Sequence, residues 1–395
     1  MSLQHTRRGI QTVMLAITLV GVFVLHGNCE RWCPFGGVEA LGTYIAEGNM
    51  ICSLGVSNFF ILAGVLLATL LLRRAFCGYL CPIGTLSEWL QALGRRLGLP
   101  TLTVPPRADR ALALAKYVLL AVILYFTWQA GELIFRGFDP CYALISRHGP
   151  DITSWAYVSA AAVAVASLVM MVPFCRWFCP LAAVLNPFSR FALARVKRDP
   201  QTCTNCRQCA KACPMQIEVD RLQEVTAARC VSCLNCLDKC RSPRGHALRW
   251  GPPEMLGRQW SQAVLVLVLV GCTSAAVAAS YWFPMASFVR SSPRPLPAQV
   301  AVVELQVDEM TCRGRGNLLY FFLERDDLYQ VPGWFRIEAW PGPGYARVRM
   351  SYDAGQGSDE AIRKAITEPY FDVGFGWRMS PFRIQGYDPL GLGLP

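Results

Sequence analysis

Charge is what this sequence has least of. Asp, Glu, Lys and Arg make up 16% of its 395 residues, whereas 53% are hydrophobic, a balance that excludes an ordinary soluble globular chain. Histidine is scarce too, at four residues. His26 and His148 stand beside apolar spans with no ligand motif around them and read as interfacial side chains rather than haem ligands. Acidic residues number 27 against 38 basic ones, a net charge of +11. That excess implies no nucleic-acid partner, because positive-inside bias and attraction to the anionic inner leaflet of a lipid bilayer account for it. No small-x-small cleavage site follows the first apolar run, although Arg7 and Arg8 precede it. The run is therefore expected to stay as an anchor rather than leave as a signal peptide.

The apolar residues gather in five stretches: Ile10–His26, Leu54–Leu72, Ala111–Ala130, Ala156–Phe174 and Ala263–Phe283. Each is about the ~20 residues that a helix needs to cross a bilayer. The expectation is an α-helical polytopic membrane protein with five transmembrane helices. Lys116, near one end of the third, is expected to snorkel. Eight Lys/Arg in the N-terminus and in 73–110, against Arg31, Arg136 and Arg147 on the opposite side, place the N-terminus and the segment between spans four and five in the cytoplasm. Span five then exports the last hundred or so residues. The expected domains are a four-span membrane domain (1–198), a cytoplasmic dicluster ferredoxin domain (199–250), a fifth transmembrane helix (251–290) and an exported domain (291–395).

Cysteine is plentiful, at 18 residues. Eight of them form two runs of C-x2-C-x2-C-x3-C: Cys203, Cys206, Cys209 and Cys213, then Cys230, Cys233, Cys236 and Cys240. Three thiolates at this spacing can hold three irons of a cube, and the fourth of each run ligates the other cube in two-cluster ferredoxins. Cys203, Cys206, Cys209 and Cys240 are thus expected to hold one [4Fe–4S] cluster, and Cys230, Cys233, Cys236 and Cys213 the other. Zinc knuckles would need only two separated pairs, four ligands in all. One irregularity is Arg241 after the second run, where Pro214 follows the first.

A second set of cysteines repeats C-x3-C-P three times, as Cys29…Cys33, Cys77…Cys81 and Cys175…Cys179. The latter two lie 98 residues apart, each after an apolar span, which suggests a duplicated two-span hairpin. Cys33-Pro and Asp139-Pro-Cys141 echo each other more weakly at the outer ends. Ile83–Leu97 and Leu181–Phe191 read as short helices along the membrane surface. Proline suits the first turn of a helix, so Cys81 and Cys179 are expected at helix N-caps, where the dipole lowers a thiol pKa. The four thiols of Cys77, Cys81, Cys175 and Cys179 could bind a metal such as copper, hold a cluster, cycle as dithiol and disulfide, or simply pack. Cys29, Cys33, Cys52 and Cys141 are expected to face a disulfide-permissive compartment. Cys272 lies in a small-residue patch suited to helix packing.

The runs WCPFGGVEAL, AFCGYLCPIGTLSEWL, KYVLL, FDPCYAL and CRWFCPLAAVLNPFSR, followed by the octads, resemble the membrane polyferredoxins of the NapH/NosR/CcoG type across about residues 20–245. The resemblance implies a multi-pass iron–sulfur protein of the bacterial inner membrane. Such a protein carries electrons between a membrane or quinone pool and a redox partner protein, as one component of an oxidoreductase system. No flavin-attachment motif is present, which argues against the flavin-bearing subtype. Soft-metal reduction and delivery, or a redox-sensing scaffold, are the other two readings of the same thiols.

Beyond the linker at 291–297, Val300–Val307, Gly314–Leu328, Trp334–Trp340, Ala346–Tyr352, Asp359–Thr367 and Phe382–Gly386 read as strand, helix, strand, strand, helix, strand. That order is the α+β ferredoxin-like βαββαβ motif, expected on the periplasmic side. It resembles a heavy-metal-associated domain through Met310-Thr311-Cys312, but Arg315 stands where that family's metal loop has its second cysteine. One thiolate beside arginines is a poor copper cage, so docking is as good a reading as metal transfer. Reporter fusions at Asp199 and at Pro395 are expected to report opposite sides of the membrane; the same side for both would remove the fifth crossing.

Overall fold

The computed structural model describes residues 3–25, 29–51, 54–145, 153–240, 247–253, 259–292, 299–308, 310, 313–325, 331–340, 345–372, 374 and 376–388. The chain forms two compact units, Met1–Glu39 with Ser57–Ala279, and Ala40–Val56 with Ser280–Pro395.

Among the described residues of the chain, three helices are long and apolar enough to cross a membrane. They are Leu3–Val24 (α1, Leu3–Leu19, continued by a π turn), Pro106–Ala130 (α6) and Gln262–Trp282 (α13). The second and fourth apolar stretches are shorter than their composition suggests. Ser57–Leu72 (α3) and Ser154–Val169 (α8) have 16 residues each, a rise of about 24 Å against a hydrocarbon core of about 30 Å. A left-handed residue follows each, Arg73 (φ 63°) directly after α3 and Val172 (φ 40°) three residues beyond the end of α8. A one-turn helix follows, Ala75–Tyr79 (α4) and Pro173–Trp177 (α9). Then come the two helices that begin at C-P, Pro82–Arg96 (α5) and Pro180–Arg190 (α10).

These two do not simply lie along a surface. The α5 helix packs on α8, and α10 packs on α3 and α6, so each repeat covers the span of the other. Small residues permit the approach. A Cβ on Gly94 of α5 would collide with the Leu168 carbonyl, and Ser87 Oγ lies 2.8 Å from Ser167 Oγ. The patch around Cys272 behaves as its composition suggests: a Cβ on Gly64 of α3 would stand 2.6 Å from Ala276 Cβ and 2.9 Å from the Cys272 carbonyl. Helix backbones come this close in a bilayer when small residues face one another.

The octads are inserted between α10 and α13. Their ends are tied by antiparallel strands Arg195–Arg198 (β1) and Leu248–Gly251 (β2), with Val196 opposite Trp250. The insert is part of the helical unit, not a separate body. Arg73 donates to the Ala227 carbonyl (2.8 Å), Arg74 to Arg229 (2.7 Å), and Ser232 Oγ to Leu72 (2.7 Å).

In the other unit, Phe288–Ser291 (β3), Val300–Asp308 (β4), Trp334–Trp340 (β5) and Tyr345–Asp353 (β6) form one antiparallel sheet in the order β3-β5-β6-β4. Helices Arg313–Leu323 (α14) and Asp359–Thr367 (α15) pack together. The expected strand at Phe382–Gly386 is only a bridge, Val307 to Ile384, on the free side of β4. Val303, Leu305 and Val307 alternate into a core with Leu319, Phe322, Leu323 and Ile362, as a half-buried strand and amphipathic helix require. The segment 40–56 belongs here: Met50 N–H donates to Ser287 O (2.8 Å) and Val289 N–H to Asn49 Oδ1 (3.2 Å).

Gly64→Leu is expected to force α3 from α13 and cost about 1–3 kcal/mol, the usual range for overpacking. A thermal unfolding series in detergent, with the exposed Gly9→Leu as control, measures it; equal midpoints would show the two helices are not packed there.

Candidate metal centres

The two cysteine runs fold as one loop used twice. Asn205 (φ 53°) and Arg207 (φ 61°) flank Cys206, and Ser232 (φ 47°) and Leu234 (φ 57°) flank Cys233. Left-handed backbone at four non-glycine residues costs roughly 1–2 kcal/mol each, and strain of this kind is kept where a site needs it. Each loop leads into a single helical turn, Gln208–Lys211 (α11) and Asn235–Asp238 (α12), which carries the chain to Cys213 and Cys240.

The cysteines surround two spaces. One is lined by Cys203, Cys206, Cys209 and Cys240, with Arg198, Thr204, Arg207 and Asp220. The other is lined by Cys213, Cys230, Cys233 and Cys236, with Val196, Met215, Ile217, Val219 and Val225. Three thiols of one run and the fourth of the other therefore meet in each. Cys206 is exposed, whereas Cys213, Cys230, Cys233 and Cys236 are all buried, so the first space is wetter and the second dry. Burial pushes Cys213 up to about 11 and Cys233 up to about 12, so a metal binding there displaces protons. At Cys206 the Gln208 backbone N–H, then the Thr204 hydroxyl, hold the thiol below its usual range.

Two buried cations lie within electrostatic reach of thiols that line the dry space. Arg73 is 1% exposed, lies within electrostatic reach of Cys230, and has Nε and one terminal nitrogen without a hydrogen-bond partner. Arg7, 2% exposed, reaches Cys233 electrostatically and pairs with Glu88. Unpaired buried guanidinium nitrogens ask for negative charge, and a thiolate-ligated iron–sulfur cluster supplies it. The donor set and the cations fit such a group.

The second cysteine set is also brought together, and more widely than its spacing suggests. Cys81 and Cys179 are the N-caps of α5 and α10, with proline following. Their thiols are nevertheless not acidified. Burial pushes Cys81 up to about 12 and Cys179 up to about 11, outweighing the N–H groups of Gly84 and Ile83 and of Ala182. Cys33 and Cys141, expected at an outer face, are drawn inward. Cys33 packs with Cys77 and Cys179 against Phe35, Leu181 and Leu185, and Cys141 lies within electrostatic reach of Cys179, Cys81 and Cys33. Cys29 has its backbone in a 3₁₀ turn to Trp32; its side chain, Cys52 and Cys312 lie outside the described residues. Among the described residues, no three His, Cys, Asp or Glu side chains close in as ligands of a single metal ion.

Lys116 does not snorkel. It is 3% exposed and its Nζ donates to the Arg176 carbonyl at 2.9 Å. Asp109, one turn into α6, accepts from Arg176, Arg229 and the Trp177 indole (2.8 Å for the last). It therefore ties α6 and α9 to the octad segment. The sequence signal was the seven-residue spacing of Asp109, Lys116 and Ile123, which puts all three on one face of a helix.

Two family models match the chain, a 4Fe-4S binding domain twice, at residues 54–100 and 153–199, and a 4Fe-4S dicluster domain at 195–241. The repeated match recurs after 99 residues, within one residue of the 98 that separate the cysteine motifs. YccM of Escherichia coli K12 is 30% identical over 54% of this chain, and the match spans 61% of YccM. MJ0750 of Methanocaldococcus jannaschii is 30% identical over 57% of this chain and 89% of its own length. The ferredoxin-type protein NapH of Escherichia coli K12 is 27% identical over 56% of this chain and 78% of its own. No solved structure matches.

Asp109→Ala would leave Arg176 and part of Arg229 unpaired in a buried place, a loss of about 3–5 kcal/mol. The octad segment is then expected to become protease-sensitive and to lose iron on dilution, while α13 stays resistant; an unchanged digestion pattern would show that the ion pairs do not hold the segment.

Proposed function

This chain belongs to the membrane polyferredoxins of the NapH/NosR type, and from that premise we propose that it passes electrons between two cytoplasmic [4Fe–4S] clusters and a membrane or periplasmic redox partner. An iron–sulfur protein of electron transfer needs its clusters held, insulated and set in potential. In this reading Cys203, Cys206, Cys209 and Cys240 hold one cube, and Cys230, Cys233, Cys236 and Cys213 the other. The observation that carries it is the crossed lining of the two spaces, three thiols from one run and one from the other in each.

A cube, when bound, supplies one-electron chemistry at low reorganisation cost. The residues around it do the rest. Val196, Met215, Ile217 and Val225 exclude water from the second space, while Arg73 and Arg7 offset its negative charge. The first space, opened by Cys206 and flanked by Arg198 and Arg207, is the face for a soluble electron donor or acceptor.

The proposed topology has five crossings, with α3 and α8 completed by the short helices that follow them, the octads inside and the C-terminal unit outside. The strand order β5-β6-β4 and the Ile384 bridge beside β4 support a ferredoxin-like reading of that unit, which we assign to docking a redox partner. Quinone, as the membrane-side reactant, would be served by the thiols between the repeats.

Purified protein is expected to contain at least about eight irons and eight sulfides, the content of two cubes. Cys213→Ser is expected to remove the EPR signal of the dry, second-run cluster and spare the other. Loss of the first-run signal instead would overturn the crossed ligation, and copper bound in place of iron at the thiols would turn the reading toward metal handling.

A further inference from the structure

We infer that Gly78 and the α1 side chains Gln4, Arg7 and Gln11 are positioning residues that seat the second octad loop on the first repeat, between Cys77 and Cys81. On the electron-transfer reading above, which this assignment presupposes, the two cubes then have an order. The wet one stands towards a soluble partner, and the dry one is the membrane-side member of the pair.

The seat is made by backbone. A Cβ on Gly78 would stand 2.6 Å from the Val231 carbonyl oxygen, far inside the ~3.5–4.0 Å at which nonbonded heavy atoms pack. Glycine is the residue that admits so close an approach. Gly78 lies between Cys77 and Cys81, and Val231 lies between Cys230 and Cys233, which both line the dry space. The two cysteine-bearing turns therefore meet with no side chain from residue 78 between them. Ser232, next to Val231, adds its bond to the Leu72 carbonyl at 2.7 Å.

Helix α1 fastens this junction from both sides. The Gly78 carbonyl accepts from Arg7 Nε (2.9 Å) and from Gln11 Nε2 (3.1 Å). On the octad side, Gln4 Nε2 donates to the Cys233 carbonyl (3.1 Å) and Arg7 Nη1 to Asn235 Oδ1 (3.4 Å). Asn235 Nδ2 in turn donates to the Ala212 carbonyl (3.4 Å), next to Cys213, the thiol that the first run lends to the dry space. Glu88 of α5 pairs with Arg7 and fixes the guanidinium between the two turns. Polar side chains this deep in a membrane bundle are costly and mark functional places. The second repeat meets the octads differently. Arg176 stands 98 residues after Gly78, and its carbonyl is likewise held by a buried cation of the preceding long helix, Lys116 Nζ of α6 at 2.9 Å. Its contact with the octad segment is made by side chains, Arg176 Nη2 to Gln216 Oε1 at 2.9 Å. Support of the turn is thus common to both repeats, and the backbone seat belongs to the first.

The test uses the full chain, purified without oxygen in detergent and reduced until both octad centres give EPR signals. A water-soluble gadolinium chelate added to wild type is expected to speed relaxation of the wet centre and leave the dry one unchanged; an equal response of both overturns the order. Gly78→Ala drives a methyl group into the Val231 carbonyl and should lift the loop. The dry centre then responds to the chelate, and its midpoint potential rises, because water favours the more negative reduced cube. The wet centre keeps both values. A dry centre as shielded as in wild type and at the same potential overturns the seat, and so does an equal shift of both centres. Should Gly78→Ala fail to fold, Gln4→Ala decides. It removes side-chain bonds alone and should raise the dry potential with the wet one unmoved; two unmoved potentials overturn the clamp. A wild type without any octad signal overturns the electron-transfer reading itself.

Discussion

In the proposed function, negative charge on sulfur, placed where water is excluded, is the constraint around which the helical unit is arranged. A thiolate in a dry site must have cations or oriented N–H groups near it, because the cost of an uncompensated buried ion is several kcal/mol. The chain meets that need with residues remote in sequence. Arg7 on α1 and Arg73 at the break after α3 lie within electrostatic reach of Cys233 and Cys230, which line the dry octad space. Arg74, adjacent to Arg73 and as fully buried, donates to the same octad segment, at the Arg229 carbonyl beside the Ala227 carbonyl that Arg73 holds.

The same constraint accounts for the broken helices. A continuous span through residues 57–79 would carry Cys77 along the helix surface and leave Cys81 beyond it. Stopping α3 at Leu72 and restarting at Pro82 turns the chain, so that α5 can cross to the other repeat. The second repeat does the same with Val172 and Pro180. Glycine and serine at the crossing, Gly94 and Ser87, admit the approach that larger side chains would prevent. In the proposed function this exchange sets the route from the octads into the membrane; Asp109, gripping both Arg176 and Arg229, holds the two parts in register.

The C-terminal unit obeys a separate logic. Its sheet and two helices enclose an ordinary apolar core, and Met310 is buried in that core at 1% exposure. A methionine committed to packing is not offered to a metal, which agrees with Arg315 standing in the second-cysteine position. The strand Phe288–Ser291, absent from the expected motif, lengthens the sheet beside β5. Its sequence, FVRS, is too short for alternation to reveal it.

Sequence alone determined what depends on local spacing. C-x2-C-x2-C-x3-C states an iron–sulfur loop because three thiols so spaced share one turn of chain. Proline after Cys81 and Cys179 states a helix start because its ring presets the first turn, and both caps stand where that rule puts them. Alternation in Val303, Leu305 and Val307 stated a strand facing a core. Tertiary structure decided everything that depends on which groups exclude water from which. The depressed thiol pKa expected at the helix starts is overridden by burial, which no spacing can report. Lys116 is read as a snorkelling side chain from its place near the end of an apolar run, yet packing on α9 encloses it. Cys33 and Cys141 belong to outer segments in sequence, but Cys33 packs against the same apolar cluster as Cys179, and Cys141 lies within electrostatic reach of both. Desolvation is a property of the enclosing neighbours, and those neighbours come from chain segments a hundred residues away.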